Sequence, residues 1–268
     1  MKRLHQKKEQ LVSGINRFES LMVAYSGGVD SSLLLSVAHE LLKSRVVAIT
    51  SSSRVHPQDE IEAAAQIAGE MGVRHIVVET DEMSMPEFTA NPNNRCYICK
   101  KHLFETFRKK ASELGIADIS HGANVDDLQD NRPGFKAAKE LGVHAPLLDA
   151  GFTKEDIRRL AKERGLPNWE KPAMACLATR IPYGTAITEN RLRMIGSAED
   201  FLREKGFSGC RVRHHGDIAR IEVCQQDFQK ILDPEMRVHV SRELKEIGYL
   251  RIVLDLEGYI PGSMNRKL

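Results

Sequence analysis

The chain lacks any run of apolar residues long enough to cross a bilayer, which takes about 20 in a row. Its start, Met1-Lys2-Arg3-Leu4-His5-Gln6-Lys7-Lys8-Glu9, carries charges where a secretory leader would carry an apolar segment. The expectation is a cytoplasmic protein with no membrane partner. Charge of one sign is also missing: 39 Lys and Arg stand against 37 Asp and Glu, a formal net charge of +2. Bulk charge therefore gives nucleic-acid binding no support, and no nucleic-acid partner is expected. Aromatic residues make up only 6%, with Trp169 the single tryptophan, and there is no internal repeat or low-complexity tract. Cysteines number five, an odd count, and two of them sit together in Cys96-Tyr97-Ile98-Cys99. That usage argues against a disulfide framework and for reduced thiols engaged with a metal or with sulfur. What is present is ample for one sizeable core and a smaller unit: 268 residues, 41% hydrophobic and 28% charged.

The chain is organised around Ala24-Tyr25-Ser26-Gly27-Gly28-Val29-Asp30-Ser31-Ser32. Leu21-Met22-Val23-Ala24 reads as a buried strand, and Leu33, Leu34, Leu35, Val37, Ala38, Leu41 and Leu42 recur at helical spacing. The two glycines allow close backbone approach, Ser26, Ser31 and Ser32 add hydroxyls, and the new helix aims unpaired N–H groups at the same spot. The result is an anion cradle. It has neither the lysine of a Walker loop nor the third glycine of a dinucleotide fingerprint. Its wording resembles the pyrophosphate loop of the PP-loop ATPases. That resemblance implies ATP cleaved to AMP and pyrophosphate, contacts from Ala24 through Ser32, and Asp30 as a magnesium ligand, magnesium preferring carboxylate and phosphate oxygens.

Further strands are expected at Arg45–Thr50, His75–Glu79, Ile116–Ser120 and, briefly, Ala145–Leu148, with helices between them. Alternation of this kind implies right-handed crossovers and a parallel α/β sheet covered on both faces. In PP-loop relatives the strand end at Ser51 lies against the adenine, and Gly122, in His121-Gly122-Ala123-Asn124-Val125-Asp126-Asp127, would allow close approach of ribose or base. Thr153-Lys154-Glu155-Asp156 is a capping-box start for another helix. After Gly184 the pattern changes: a helix over Glu189–Lys205, a hairpin turning at Gly216-Asp217, a helix over Phe228–Ile247 and a strand over Tyr249–Leu256. The expected domains are residues 1–184, a PP-loop ATP pyrophosphatase unit, and 185–268, a small α+β unit for substrate binding or oligomerisation.

Cys96 and Cys99 bring two thiolates to one centre, and Cys176 supplies a distant third. Three thiolates leave one position open. The residues alone allow a structural zinc, with His102 the nearest fourth ligand, a 4Fe-4S cluster whose unligated iron carries a hydrosulfide, or unliganded thiols. Cys210 and Cys224 have no partner at ligand spacing and read as small core residues.

The combination of the glycine-rich loop with Asn131-Arg132-Pro133-Gly134, Lys171-Pro172 before Cys176, Arg180-Ile181-Pro182-Tyr183-Gly184, and Arg211-Val212-Arg213 followed by Asp217-Ile218-Ala219-Arg220-Ile221-Glu222 resembles the LarE family. These ATP-dependent sulfur transferases help build the nickel-pincer nucleotide of lactate racemase. The resemblance implies that a carboxylate of a pyridinium dicarboxylate mononucleotide is adenylylated, with Mg2+, and that sulfur then replaces AMP. Some members sacrifice the cysteine matching Cys176. Others add cysteines matching Cys96 and Cys99 and resemble cluster-dependent thiolases, and this chain follows the second pattern. Arg211 and Arg213, alternate residues on a strand, would face one side and take the substrate phosphate. Glu199 is implied near the site, with Arg180, Lys100 and Lys101 as further substrate contacts. The implied partners are a sulfide or cysteine-derived sulfur donor, an upstream carboxylase/hydrolase, a downstream nickel-inserting enzyme and further copies of this chain. A tRNA thiolase of the PP-loop type and a zinc-stabilised nucleotide-binding module are the competing readings. Near-neutral charge and missing zinc-ribbon cysteine pairs weigh against the first.

Overall fold

A computed structural model describes residues 2–128, 134–171 and 176–260. In chain order the elements are α1 (Lys2–Ile15), β1 (Leu21–Ala24), α2 (Val29–Leu42), β2 (Val46–Ser52), α3 (Gln58–Glu70), β3 (Arg74–Glu79), α4 (Pro86–Thr89), α5 (Arg95–Glu113) and β4 (Asp118–His121). There follow α6 (Gly134–Glu140), α7 (Pro146–Asp149), α8 (Lys154–Glu163), α9 (Glu189–Glu204), β5 (Arg211–His215), β6 (Ile218–Glu222), α10 (Phe228–Leu232), α11 (Pro234–Ile247) and β7 (Arg251–Leu254). Asn131, Arg132, Pro133 and Pro172 lie outside the described residues. The chain divides into two compact units, Met1–Asp81 with Asn94–Met174, and Glu82–Asn93 with Ala175–Leu268. Gly184 lies within the second.

The first unit is the expected parallel α/β sheet, in the order β3-β2-β1-β4 among the described residues. Strand side chains alternate between faces. Leu21 and Val23 join a core with α1, α2 and α8 through Leu11, Leu34 and Leu160, while Met22 and Ile49 meet Phe104 and Phe107 of α5 on the other side. Strand β3 is an edge, and its Val77 is exposed. The connection leaving β1 runs to β2 on one side and the one leaving β3 crosses to β4 on the other, and such a switch point opens a crevice at the carboxyl ends of β1 and β4. The glycine-rich loop follows that end.

Two local expectations fail for reasons of backbone chemistry. Ala145–Leu148 is not a strand: a single parallel bridge joins Ser120 to His144, and the chain then enters α7 with Pro146 at its start, where proline's fixed φ suits a first helical turn. The helix expected over Phe228–Ile247 is two helices, broken at Asp233-Pro234. Asp233 accepts from the Glu235 and Met236 N–H groups at 3.0 and 3.1 Å, and Pro234 cannot continue α10.

The second unit has β5 and β6 as the expected hairpin, with β7 parallel to β6. Val212, Ala219 and Ile221 pack with Leu202 of α9 and Leu244 of α11. In this unit the segment Glu82–Asn93 is anchored by Asn91, fully buried and in the left-handed region at φ 58°. Its Nδ2 donates to the carbonyls of Pro182 and Thr185 at 2.8 Å, and its own carbonyl accepts from Gly184 N–H at 2.9 Å. Asn91→Ala leaves those buried carbonyls unpaired and should cost about 2–4 kcal/mol. Chemical denaturation of the full chain measures this, and a loss under about 0.5 kcal/mol, the scatter of ordinary surface changes, would show that the knot carries no stability.

Candidate functional site

Gly27 takes φ +69°, and a Cβ built on it would stand 2.8 Å from the Ala64 Cβ of α3. Only glycine meets both conditions without a shift. Ser31 Oγ donates to Gly28 O at 3.1 Å, accepts from Ser26 N–H at 3.3 Å and lies 3.3 Å from Ser26 Oγ. These bonds fold the loop over the first turn of α2, whose N-terminal N–H groups point along the helix axis toward it. Asn168, after α8, donates from Nδ2 to both Gly27 O and Ser32 Oγ at 2.8 Å, and Ser32 Oγ donates to Tyr25 OH at 3.3 Å.

Asp30 is held from two sides. Asn124 Nδ2 donates to its Oδ1 at 3.2 Å, and Lys154 Nζ pairs with its Oδ2. Lys154 opens α8, where Thr153 forms the expected capping box with Asp156, and Asp126 accepts from the Lys154 N–H at 2.7 Å. A cation thus reaches the cradle from a helix far along the chain, although the loop itself has none. Gly122 sits against the same turn: a Cβ there would be 2.7 Å from Ser31 N. The space that glycine leaves is filled by α2 itself. Ser51 is buried at the end of β2, and neighbouring Thr50 donates to Tyr25 O at 2.6 Å. Sequence reasoning missed Lys154, Asn124 and Asn168 as members of this constellation; the capping box pointed to the helix start but not to where the lysine reaches.

Cys96 and Cys99 lie in the opening turns of α5, three residues apart and half-buried. That spacing puts both on one helix face. Lys100 and Lys101 follow and are exposed; the Lys100 stem passes Gly134, and its Nζ stands 5.6 Å from the Phe104 ring centre. At the end of β4, burial and the nearby Lys100 charge hold His121 down at a pKa of about 3, against an ordinary value of 6.5.

The other expected residues lie in the second unit. Cys176 caps the short 3-10 turn Leu177–Arg180, and its carbonyl accepts from Thr179 Oγ1 at 2.7 Å, Thr179 N–H at 2.9 Å and Arg180 Nη1 at 3.2 Å. Arg180, fully buried, forks onto Glu199 at 2.8 and 2.9 Å, and Glu199 Oε1 also accepts from Val212 N–H at 2.9 Å. Arg213 forks onto Glu222 at 2.9 and 2.7 Å and reaches Thr179 O at 3.2 Å. Arg211 donates to Cys210 O at 2.7 Å and lies over the Tyr259 ring. These arginines are buried and carry protein partners, where the sequence suggested open forks. Burial pushes the Cys210 thiol up to about 12 and raises that of half-buried Cys224, so both stay protonated.

Among the described residues no group of three His, Cys, Asp or Glu side chains is disposed to hold a metal ion, and no helix is long and apolar enough to cross a membrane. Asp30, a hard oxygen donor at the mouth of the cradle, fits a magnesium ion carried in on phosphates.

The asparagine synthase family profile matches residues 18–90, the segment that contains the loop. A pyridinium-3,5-bisthiocarboxylic acid mononucleotide synthase of Lactiplantibacillus plantarum is 35% identical over 269 residues, spanning 100% of this chain and 97% of its own. The chain belongs to the LarE family. An uncharacterised protein of Synechocystis sp. is 40% identical over 99% of both chains, and a glutamine-hydrolysing GMP synthase of Aeropyrum pernix is 24% identical over 69% of this chain and 39% of its own. Like the ATP-using PP-loop proteins it resembles, this LarE-family member is an enzyme.

The depressed His121 has a stability consequence. Between pH 6.5 and about 3 the unfolded chain binds a proton that the folded chain refuses, so this contribution is complete above pH 6.5 and is lost as pH falls toward 3. His121→Phe should flatten the acid limb of a stability–pH curve by up to one proton's slope. His75, His214 and His215, also held down by burial, leave a residual slope. An unchanged limb in the variant would mean that His121 titrates normally.

Proposed function

We propose that this LarE-family enzyme uses ATP to adenylylate a carboxylate of a pyridinium-3,5-dicarboxylate mononucleotide and then replaces AMP with sulfur, giving a thiocarboxylate for the nickel-pincer nucleotide of lactate racemase. The observation that carries it is the anion cradle at the switch point of the sheet, in a chain similar along its whole length to a named synthase of that product class.

Each step has residues to serve it. A carboxylate is a poor electrophile until coupled to a good leaving group. Ser26, Gly27, Gly28, Ser31 and Ser32 take the outer phosphates of ATP, with Ala24 beneath them and Ser51 and Gly122 on the adenosine side. Asp30 would hold the magnesium that accompanies the nucleotide, and Lys154, which pairs with Asp30, brings a second positive charge to the cradle for the departing pyrophosphate, so that charge is neutralised where it develops. Arg211 and Arg213 take the phosphate of the substrate nucleotide, supported by Glu199, with Lys100 and Lys101 as lesser contacts. Arg180 fixes the backbone of Cys176.

For the sulfur, Cys96 and Cys99 suit a soft metal centre as a helical pair, and Cys176 from the second unit is the third ligand in the proposal. Cys96, Cys99 and Cys176 would together hold a 4Fe-4S cluster through three thiolates, and such a cluster would supply an iron open to sulfur taken from sulfide or a cysteine-derived donor. The upstream carboxylase/hydrolase, the downstream nickel-inserting enzyme and assembly into a homo-oligomer belong to the same proposal.

Kept free of air and given MgATP and the dicarboxylate nucleotide, the enzyme should release pyrophosphate and AMP in step with thiocarboxylate, and Asp30→Ala should slow pyrophosphate release by about a hundredfold. Release of ADP and phosphate instead would overturn the reading. Iron and sulfide that copurify and are lost in Cys99→Ala support the cluster. A Cys176 that loses one sulfur mass after a single turnover, in protein without iron, means that the residue is sacrificed.

A further inference from the structure

One side chain from outside, Asn168, holds the glycine peptide of the phosphate loop and the first turn of α2 together. Asn168 is buried, and both protons of its Nδ2 are in use, one on Gly27 O and one on Ser32 Oγ, each at 2.8 Å. Its Oδ1, buried as well, has no hydrogen-bond partner among the described residues. The orientation of the amide is fixed by chemistry, because turning it would set one carbonyl oxygen against another. A buried acceptor left unpaired is costly, so this amide is present for its donors.

We infer that Asn168 is a positioning residue for the outer phosphates of ATP, a role that rests on the adenylylation proposed above. Gly27 C=O and Gly28 N–H belong to one planar trans peptide and point in opposite directions. Holding the carbonyl on Asn168 therefore aims the Gly28 N–H away from the core, where it makes only a long 3.4 Å bond to Ser26 Oγ at an exposed position. At φ +69° a glycine peptide turns easily, and without an anchor its N–H would spend much of its time elsewhere. Through Ser32 Oγ and Tyr25 OH the same amide ties the first turn of α2 to the residue that follows β1. The anchor is itself held: Lys171 N–H donates to Asn168 O at 3.1 Å, and Lys171 Nζ pairs with Glu60 in the first turn of α3. No atom of Asn168 needs to touch the nucleotide.

The test uses two probes that share a site but not a phosphate tail, inorganic pyrophosphate with magnesium and AMP, measured by calorimetry on the full chain. Asn168→Asp keeps the size of the side chain and removes the donors; Asn168→Ala removes both ends. Each should weaken pyrophosphate and ATP by roughly tenfold or more while leaving AMP within about twofold, since two hydrogen bonds of ordinary strength set the loop. Equal loss of AMP and pyrophosphate in both variants, or no loss of either, would overturn the assignment. If a variant is too unstable for calorimetry, the rise in its melting temperature with each probe gives the same comparison. Wild-type enzyme that binds pyrophosphate no better than a control protein does would instead sink the phosphate loop itself, a separate failure.

Discussion

The loop between β1 and α2 can exist only because a glycine in the left-handed region is pressed against α3. Gly27 has no Cβ where Ala64 stands, and Gly122 has none where Ser31 stands, so two helices and a neighbouring strand close on the loop to within backbone contact. Cradles for phosphate need donors that are fixed before the anion arrives, because donors that must reorganise give back part of what they gain. Here the fixing comes from tertiary packing around the four-residue turn between β1 and α2 rather than from the turn alone. The parallel sheet supplies the crevice, α2 the N–H groups, and Asn168 and Lys154 the outside supports.

Charge is organised differently in the two units. In the first, Lys154 sits on Asp30 at a half-open position, a pairing that costs little to exchange. In the second, Arg180–Glu199 and Arg213–Glu222 are forked, buried pairs, which are expensive to break and so hold geometry. Both reach the turn that begins at Cys176, Arg180 through the Cys176 carbonyl and Arg213 through Thr179 O. A reactive or ligating sulfur is thereby set on a backbone with little freedom, whichever of its proposed roles it serves.

The parallel α/β layout and the place of the phosphate loop were legible in the chain because apolar runs of the right length alternate with helical periods, and a glycine pair marks the turn. The short strand expected at Ala145–Leu148 fails because four apolar residues fit a buried strand and a helical turn equally well, and Pro146 decides for the helix. The split at Asp233-Pro234 was written in the residues but hidden by a continuous helical period across it. For the site, residues on the loop could be named from local pattern. Asn168 and Lys154 could not, since their importance comes from where the fold carries them, more than a hundred positions away. Arg180 and Arg213 were named as open substrate contacts and not as buried ion pairs, because the partners Glu199 and Glu222 follow no local spacing rule.

The central claim is that ATP is cleaved at its inner phosphate by attack of a substrate carboxylate. Dicarboxylate nucleotide labelled with oxygen-18 in its carboxyl groups tests it most directly. Adenylylation followed by displacement with sulfur leaves one labelled oxygen on the phosphate of the released AMP, and the account predicts that label in step with thiocarboxylate. AMP that carries no label, or label found in released phosphate with ADP as the other product, would contradict it.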